Sequence, residues 1–152
     1  MKTILAPVDF SGATDVVVAE AARLAQAMKG RVVLLSVIQP PVITSEYAPL
    51  IEDVAEVTAA GEKSAARNLA RLEESLQQQG VPAEGIQLNG APVQHILEQA
   101  KKLSADYIVM GSHGHTALYD LLVGSTTHGI LFRAPCPVVI MPSPRQKREA
   151  TN

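Results

Sequence analysis

Between residues 111 and 126 the chain reads GSHGHTALYDLLVGST. Gly111 and Gly114 are separated by two residues, and nine more pass before Gly124, which has the hydroxyl residues Ser125 and Thr126 directly behind it. Glycine lets a backbone turn sharply and approach a ligand with no Cβ in the way. Ser125 and Thr126 stand where a helix is expected to begin, and the first N–H groups and positive dipole end of a helix favour an anion. The nine intervening residues can arch away and return, bringing both glycine sites to one phosphate chain. A complementary group lies far upstream: Asp9, acceptor-only when ionised, would repel phosphate but can accept from ribose hydroxyls or an adenine amine. Phosphates at one end and a sugar with its base at the other describe a nucleotide. The competing reading is that Gly111 and Gly114 only shape a tight turn after a strand.

Other chemistries are less well supplied. The chain has no GxxxxGK[ST] phosphate loop, so no lysine is delivered to the phosphates, and no GxGxxG. It also lacks the GxSxG nucleophile elbow of acyl transfer. His113 and His115 suggest a metal pair, but only Asp120 nearby would extend the ligand set, and no metal site is expected. No catalytic residue is assigned. His113 or His115 can orient a water in principle, yet without a lysine or arginine finger little would stabilise charge developing during ATP hydrolysis. Any hydrolysis is therefore expected to be slow. His95 reads as a boundary residue of a helix, His128 as a surface helix residue, and Cys136 as a small packing residue.

The elements that must position these groups alternate in period. TILAPV (3–8) is a short apolar run suited to a strand buried on both faces. Val17, Ala21, Leu24 and Met28 follow at helical spacing over 13–28, and Gly30 is expected to stop that helix. RVVLLSV (31–37) is a second buried strand. Residues 39–49 carry three prolines and no clean period, and read as a surface loop. A long helix with Ala65, Leu69, Leu72 and Leu76 on one stripe ends at Gly80. GIQLN (85–89) is a weak third strand. Pro92 opens a third helix through Val93, Ile96, Leu97 and Ala100. DYIVM (106–110) is strand four and runs into the glycine stretch. A short helix is expected from Ser125 to Arg133, then PVVIM (137–141) as strand five. Such alternation predicts an α/β fold: a doubly wound, five-stranded, mainly parallel sheet in the order 3-2-1-4-5 with helices on both faces. Residues 1–142 would form one domain and 143–152 a disordered tail. In this order the ends of strands one and four lie side by side at the switch point, where ligands of open α/β sheets sit.

Composition closes off several functions. At 152 residues with a net charge of -2, the chain has no global basic field for nucleic acid, and 3% aromatics with no Trp supply few stacking platforms. One cysteine makes no internal disulfide. No apolar run reaches the roughly 20 residues of a membrane span. MKTILAPVDF meets Pro7 and Asp9 before a signal-like stretch develops. A cytoplasmic protein is expected, without nucleic-acid or membrane partners.

GSHGHTALYDLLVGST also fits the G-x2-G-x9-G-[ST] signature of the universal stress protein family in its ATP-binding branch. APVDFS, the Gly90-led third helix with Ala100, DYIVMGSHG and APCPVVIM carry the resemblance over nearly the whole chain. The resemblance implies a Rossmann-like five-stranded α/β sandwich whose ATP-binding members seat adenosine against Asp9, with Pro7 beside it and the main chain of Val37 on adenine. It places phosphates along Gly111, Gly114, Gly124, Ser125 and Thr126, with Met110 lining the mouth. Relatives often carry Arg where this chain has His115 and Gly where it has Ala117. With an ordinary pKa of about 6.5, His115 should make triphosphate binding tighter at about pH 6 than at about pH 8. A Mg²⁺ ion would arrive with the phosphates. The apolar edge strand 137–141, with no charged gatekeeper, is expected to pair with a second copy, and the resemblance implies the same homodimer. The expected function is a cytoplasmic ATP- or AMP-binding stress-response regulator that acts as a nucleotide-dependent switch. The alternatives are an interaction protein with a vestigial nucleotide site and a low-turnover ATPase.

Overall fold

The computed structural model describes residues 1–40, 51–112 and 124–143. Its first strand, β1 (Thr3–Pro7), has Ile4, Leu5 and Ala6 all fully buried, which requires cover on both faces. Cover comes from alternation. Ile4 and Ala6 face one core with Val32 and Leu34 of β2 (Arg31–Ile38), while Leu5 faces another with Val33 and Leu35. Helices α1 (Thr14–Met28) and α2 (Ile51–Gln78) close the first core through Val17, Ala21, Leu69 and Leu76. Helices α3 (Pro92–Lys102) and α4 (Ser125–Arg133) close the second through Ile96, Ala100 and Ile130.

With β3 (Ala83–Asn89), β4 (Tyr107–Gly111) and β5 (Val138–Met141) the strands form one sheet in the order β3-β2-β1-β4-β5. Every pairing is parallel, as in Leu5↔Val33, Leu5↔Ile108 and Val109↔Val139. Of the eleven largest fully buried side chains, eight belong to β1, β2 and β4. At about 1.5–3 kcal/mol for each such side chain, the three central strands are the stable platform on which the carboxyl ends sit.

The elements match those read from the sequence to within two residues at each end. One expectation is corrected. Gly30 does not supply the left-handed turn that ends α1; Lys29 does, at φ 53°, and Gly30 N–H then donates to Ala25 O at 2.8 Å. Gly30 is needed for space, since a Cβ there would lie 2.4 Å from Lys2 O. Gly80, at φ 79°, does follow α2 in the expected role, and Gly90 precedes α3 at φ 137°.

The edges of the sheet differ. Along β3, Glu73 of α2 accepts from Gly85 N–H at 3.0 Å and Gln77 donates to Ala83 O at 3.2 Å, while Glu84 stands exposed. Along β5 the residues are Val138, Val139, Ile140 and Met141, all half-buried. Most of the loop expected over 39–49, and the tail from 144 onward, lie outside the described residues.

Candidate functional site

The chain leaves β1 through a tight turn. Val8 N–H still donates to Leu35 O at 2.9 Å, and then the backbone breaks away from β2. Asp9 Oδ1 accepts from Ser11 N–H at 3.0 Å, closing an Asx turn that fixes the carboxylate at the end of the strand. Between them Phe10 takes a left-handed φ of 60°, uncommon for an aromatic residue and costing about 1–3 kcal/mol. Thr14 N–H donates to Ser11 O at 3.1 Å, and α1 begins.

The end of β4 is built differently. Ser112 N–H donates to Met141 O at 3.0 Å, and Gly124 N–H donates to Ser112 O at 2.8 Å. Residues 112 and 124 therefore meet. Thr127 Oγ1 donates to Gly111 O at 2.8 Å, pinning the first turn of α4 to the end of β4. Gly124 is the N-cap of α4, and no side chain among the described residues caps it. His128 N–H makes the first intrahelical bond, to Gly124 O. By helix geometry the N–H groups of Ser125, Thr126 and Thr127 have no partner inside the helix.

Between these two strand ends lies a cavity of about 380 Å³. Pro7 and Asp9 line it from β1, Val37 from β2, Met110 and Gly111 from β4, and Gly124, Ser125 and Thr126 from α4. Eight of the ten residues singled out in the sequence thus line one cavity; Gly114 and His115, with His113 and Asp120, lie outside the described residues. Val17, Ala65, Pro92 and Ile96 add apolar wall, and the start of α4 brings N–H and hydroxyl donors to the lining. Among the described lining residues Asp9 is the one charged side chain.

The position of Val37 follows from strand alternation. Leu35 O points to the β1 side, where Val8 takes it, and Ile38 O points to the β3 side, where Gly90 takes it. The N–H and C=O of Val37 therefore point to the β1 side. By then β1 has ended, so that backbone edge borders the cavity.

Several lining residues escaped sequence reading. Thr127 was legible only as one more hydroxyl after Ser125 and Thr126; burial at 3% exposure and its bond to Gly111 make it the fastener of the site. Ser11, Thr14 and Ser36 gave no periodic signal, and nothing in the sequence marks the left-handed Phe10.

The other singled-out residues lie away from the cavity. His95 Nε2 is 2.9 Å from Asn89 O and occupies the space a Cβ on Gly90 would need. His128 is exposed and its ring is 4.8 Å from that of Phe132. Cys136 packs against the second core, and burial, aided by the charge of Asp106, pushes its thiol above the usual range, so it stays protonated at neutral pH. Among the described residues no three His, Cys, Asp or Glu side chains converge on a metal site. No described helix is long and apolar enough to cross a membrane.

A family model for the universal stress protein family matches residues 1–142. The chain belongs to the universal stress protein family. A universal stress protein of Thermus aquaticus is 33% identical over 146 residues, covering 92% of this chain and 98% of the relative. The solved structure of universal stress protein UspA from Lactobacillus plantarum superimposes with a TM-score of 0.81 at 25% identity, over 92% of this chain and 97% of that one. A family structure from Archaeoglobus fulgidus, in complex with dAMP, shares the fold with a TM-score of 0.64 at 21% identity, over 92% of this chain and 97% of that one.

Proposed function

We propose that this universal stress protein is a cytoplasmic stress-response regulator that binds an adenine nucleotide, ATP or AMP, in the cavity between β1 and β4, and that occupancy sets the conformation its partners meet. The observation carrying this reading is the convergence of Pro7, Asp9, Val37, Met110, Gly111, Gly124, Ser125 and Thr126 on one cavity of about 380 Å³. Its lining combines apolar wall with the N–H and hydroxyl donors at the start of α4, as a base and its phosphates would need. Adenine would lie against the backbone edge of Val37, its amine donating to Val37 C=O and a ring nitrogen accepting from Val37 N–H. Asp9 would accept from the ribose. The uncapped start of α4 would receive phosphate, each N–H bond to an anion being of the stronger, charge-assisted kind. The relative solved with dAMP supports an adenine nucleotide as the ligand class.

No lysine or arginine among the described residues lines the cavity, which supports binding with at most slow hydrolysis. A Mg²⁺ ion would be held by phosphates and water rather than by a protein cage. Gly114 and His115 remain proposed phosphate contacts. The unit in solution is proposed to be a homodimer through residues 137–141: β3 is capped by α2 side chains, whereas β5 is apolar and follows a helix that exposes Leu131 and Phe132 at 47% and 76%.

Calorimetry with Mg-ATP and with AMP tests the reading. The wild type should bind one nucleotide per chain, and Asp9→Ala should weaken binding at least tenfold, the loss of a hydrogen bond to a charged acceptor. Absence of heat with both nucleotides would refute it. Multiple turnovers of ATP that vanish in Asp9→Ala would replace the switch with an ATPase.

A further inference from the structure

Helix α2 outruns the strand it covers. Its 28 residues span about 42 Å, whereas the 7 residues of β3 span about 23 Å. Leu69 and Leu76 bury the second half of the helix in the first core. Glu62 is the first residue of the helix bonded to β3 among the described residues. Its carbonyl accepts from Gln87 Nε2 at 3.0 Å and its carboxylate from Asn89 Nδ2 at 3.2 Å. Before it, six of the seven residues from Ala55 to Gly61 are exposed, Val57 at 71%. A helical arm without tertiary packing is marginal in water, the more so with β-branched Val57 and Thr58 and with Gly61 inside it. Gly61 also has no use within the protomer: a Cβ there would meet nothing within 4 Å, whereas Gly30, Gly85, Gly90 and Gly129 are each crowded. A glycine in a helix does admit the close approach of a second backbone. Val57, Ala60, Gly61 and Ser64 follow i, i+3, i+4, i+7 and share one face. With three small residues on it, another helix axis can come within about 8 Å.

Charge along the same helix says what the second backbone is. Residues 51–56, IEDVAE, hold three acids and no base, and residues 63–71, KSAARNLAR, hold three bases and no acid. Acids at a helix start suit its dipole, but bases in mid-helix gain nothing from it. Lys63, Arg67 and Arg71 are exposed, and no ion pair joins them to another described residue. Such a helix is complementary to itself when reversed. With a two-fold axis beside Gly61 and Glu62, Glu56 of each copy stands level with Arg67 of the other, and acidic block lies along basic block. We propose that α2 pairs antiparallel with α2 of a second copy of this chain through this face. The contact is isologous. It belongs to the β3 edge of the sheet, about 19 Å from β5 across four strand spacings, so it does not compete with pairing through β5 and needs no nucleotide. Exposed ion pairs are weak and screened by salt, which makes this assembly responsive to ionic strength.

The test is disulfide trapping of the full chain in a Cys136→Ala background. Ala60→Cys, beside the axis, should form a covalent dimer under mild oxidation. Gln78→Cys, exposed on the same helix about 25 Å from the axis, should not. In the Ala60→Cys chain, Glu56→Arg or Arg67→Glu alone should slow trapping on the order of tenfold, because like charges then stand level. A 1:1 mixture of these two variants should recover the rate, since each meets its complement in the other; recovery also shows that both are folded. Raising salt from about 0.05 to about 0.5 M should slow trapping of the Ala60→Cys chain by a similar factor. Equal trapping at positions 60 and 78 would overturn the pairing. So would a rate indifferent to the charge variants, or a mixture no faster than either variant alone.

Discussion

Gly124→Asp separates stability from binding at the start of α4. Gly124 has φ -62° and ψ 157°, an extended conformation open to any L-residue. An aspartate at this N-cap accepts from the orphan N–H groups of the first turn and complements the helix dipole. Replacing glycine gains a few tenths of a kcal/mol as a cap, and the dipole adds about 0.3–1 kcal/mol. For a chain of this size the melting temperature should rise by about 1–4 °C. The same carboxylate would occupy the proposed phosphate seat. At about 5 Å and an effective dielectric of about 20, each added pair of charges costs about 3 kcal/mol, so ATP affinity should fall by more than about 100-fold. Differential scanning fluorimetry and calorimetry on one preparation read both effects. A variant that is more stable yet binds Mg-ATP within threefold of the wild type would refute phosphate at this helix start.

Three further outcomes follow from other parts of the molecule. Val139→Lys puts a charge on the bare edge strand and should convert the proposed dimer into monomer or aggregate on a sizing column; an unchanged dimer would exclude pairing through β5. Gly30→Ala drives a methyl into Lys2 O, a backbone atom 2.4 Å from the new Cβ, and should destabilise by about 1–3 kcal/mol in urea unfolding; a cost under about 0.5 kcal/mol would show that the turn relaxes freely. Asp106 accepts from Thr3 N–H at 2.8 Å, and that bond, helped by Lys2, holds its carboxyl below the usual aspartate range. A depressed carboxylate stabilises the fold above its unfolded pKa and loses that contribution as pH falls through the folded value. Asp106→Asn should therefore be less stable than the wild type at neutral pH, with the gap closing below about pH 4; a gap independent of pH would assign the loss to packing instead.

Much of this arrangement is legible in the sequence because two signals agree. Buried strands such as TILAP and RVVLLSV are unbroken apolar runs, and the helices between them carry a 3.6-residue stripe, so alternation with right-handed crossovers leaves few windings, and the order 3-2-1-4-5 sets the ends of β1 and β4 side by side. The glycine spacing then marks where β4 hands over to α4, and Gly124 with Ser125 falls at the expected cap. Less legible is anything decided by tertiary contact. Thr127 differs from Thr126 only in the direction a helix turn gives it, yet that direction makes it the fastener of Gly111. Lys29 adopts the left-handed turn after α1, and Gly30 is required instead because the space beside Lys2 admits no side chain there. Thr14 reads as an ordinary first-turn residue; its buried and unpartnered hydroxyl emerges only when α1 is laid against the cavity.

The central claim, that this cavity holds an adenine nucleotide, is tested most directly by what the purified protein contains. Acid denaturation followed by ion-pair chromatography of the supernatant, after incubation with Mg-ATP and removal of free ligand, reads the bound nucleotide per chain. The account predicts close to one adenine nucleotide on the wild type and almost none on Asp9→Ala or Gly124→Asp. Equal nucleotide on all three, or none on the wild type at any concentration tried, would contradict it.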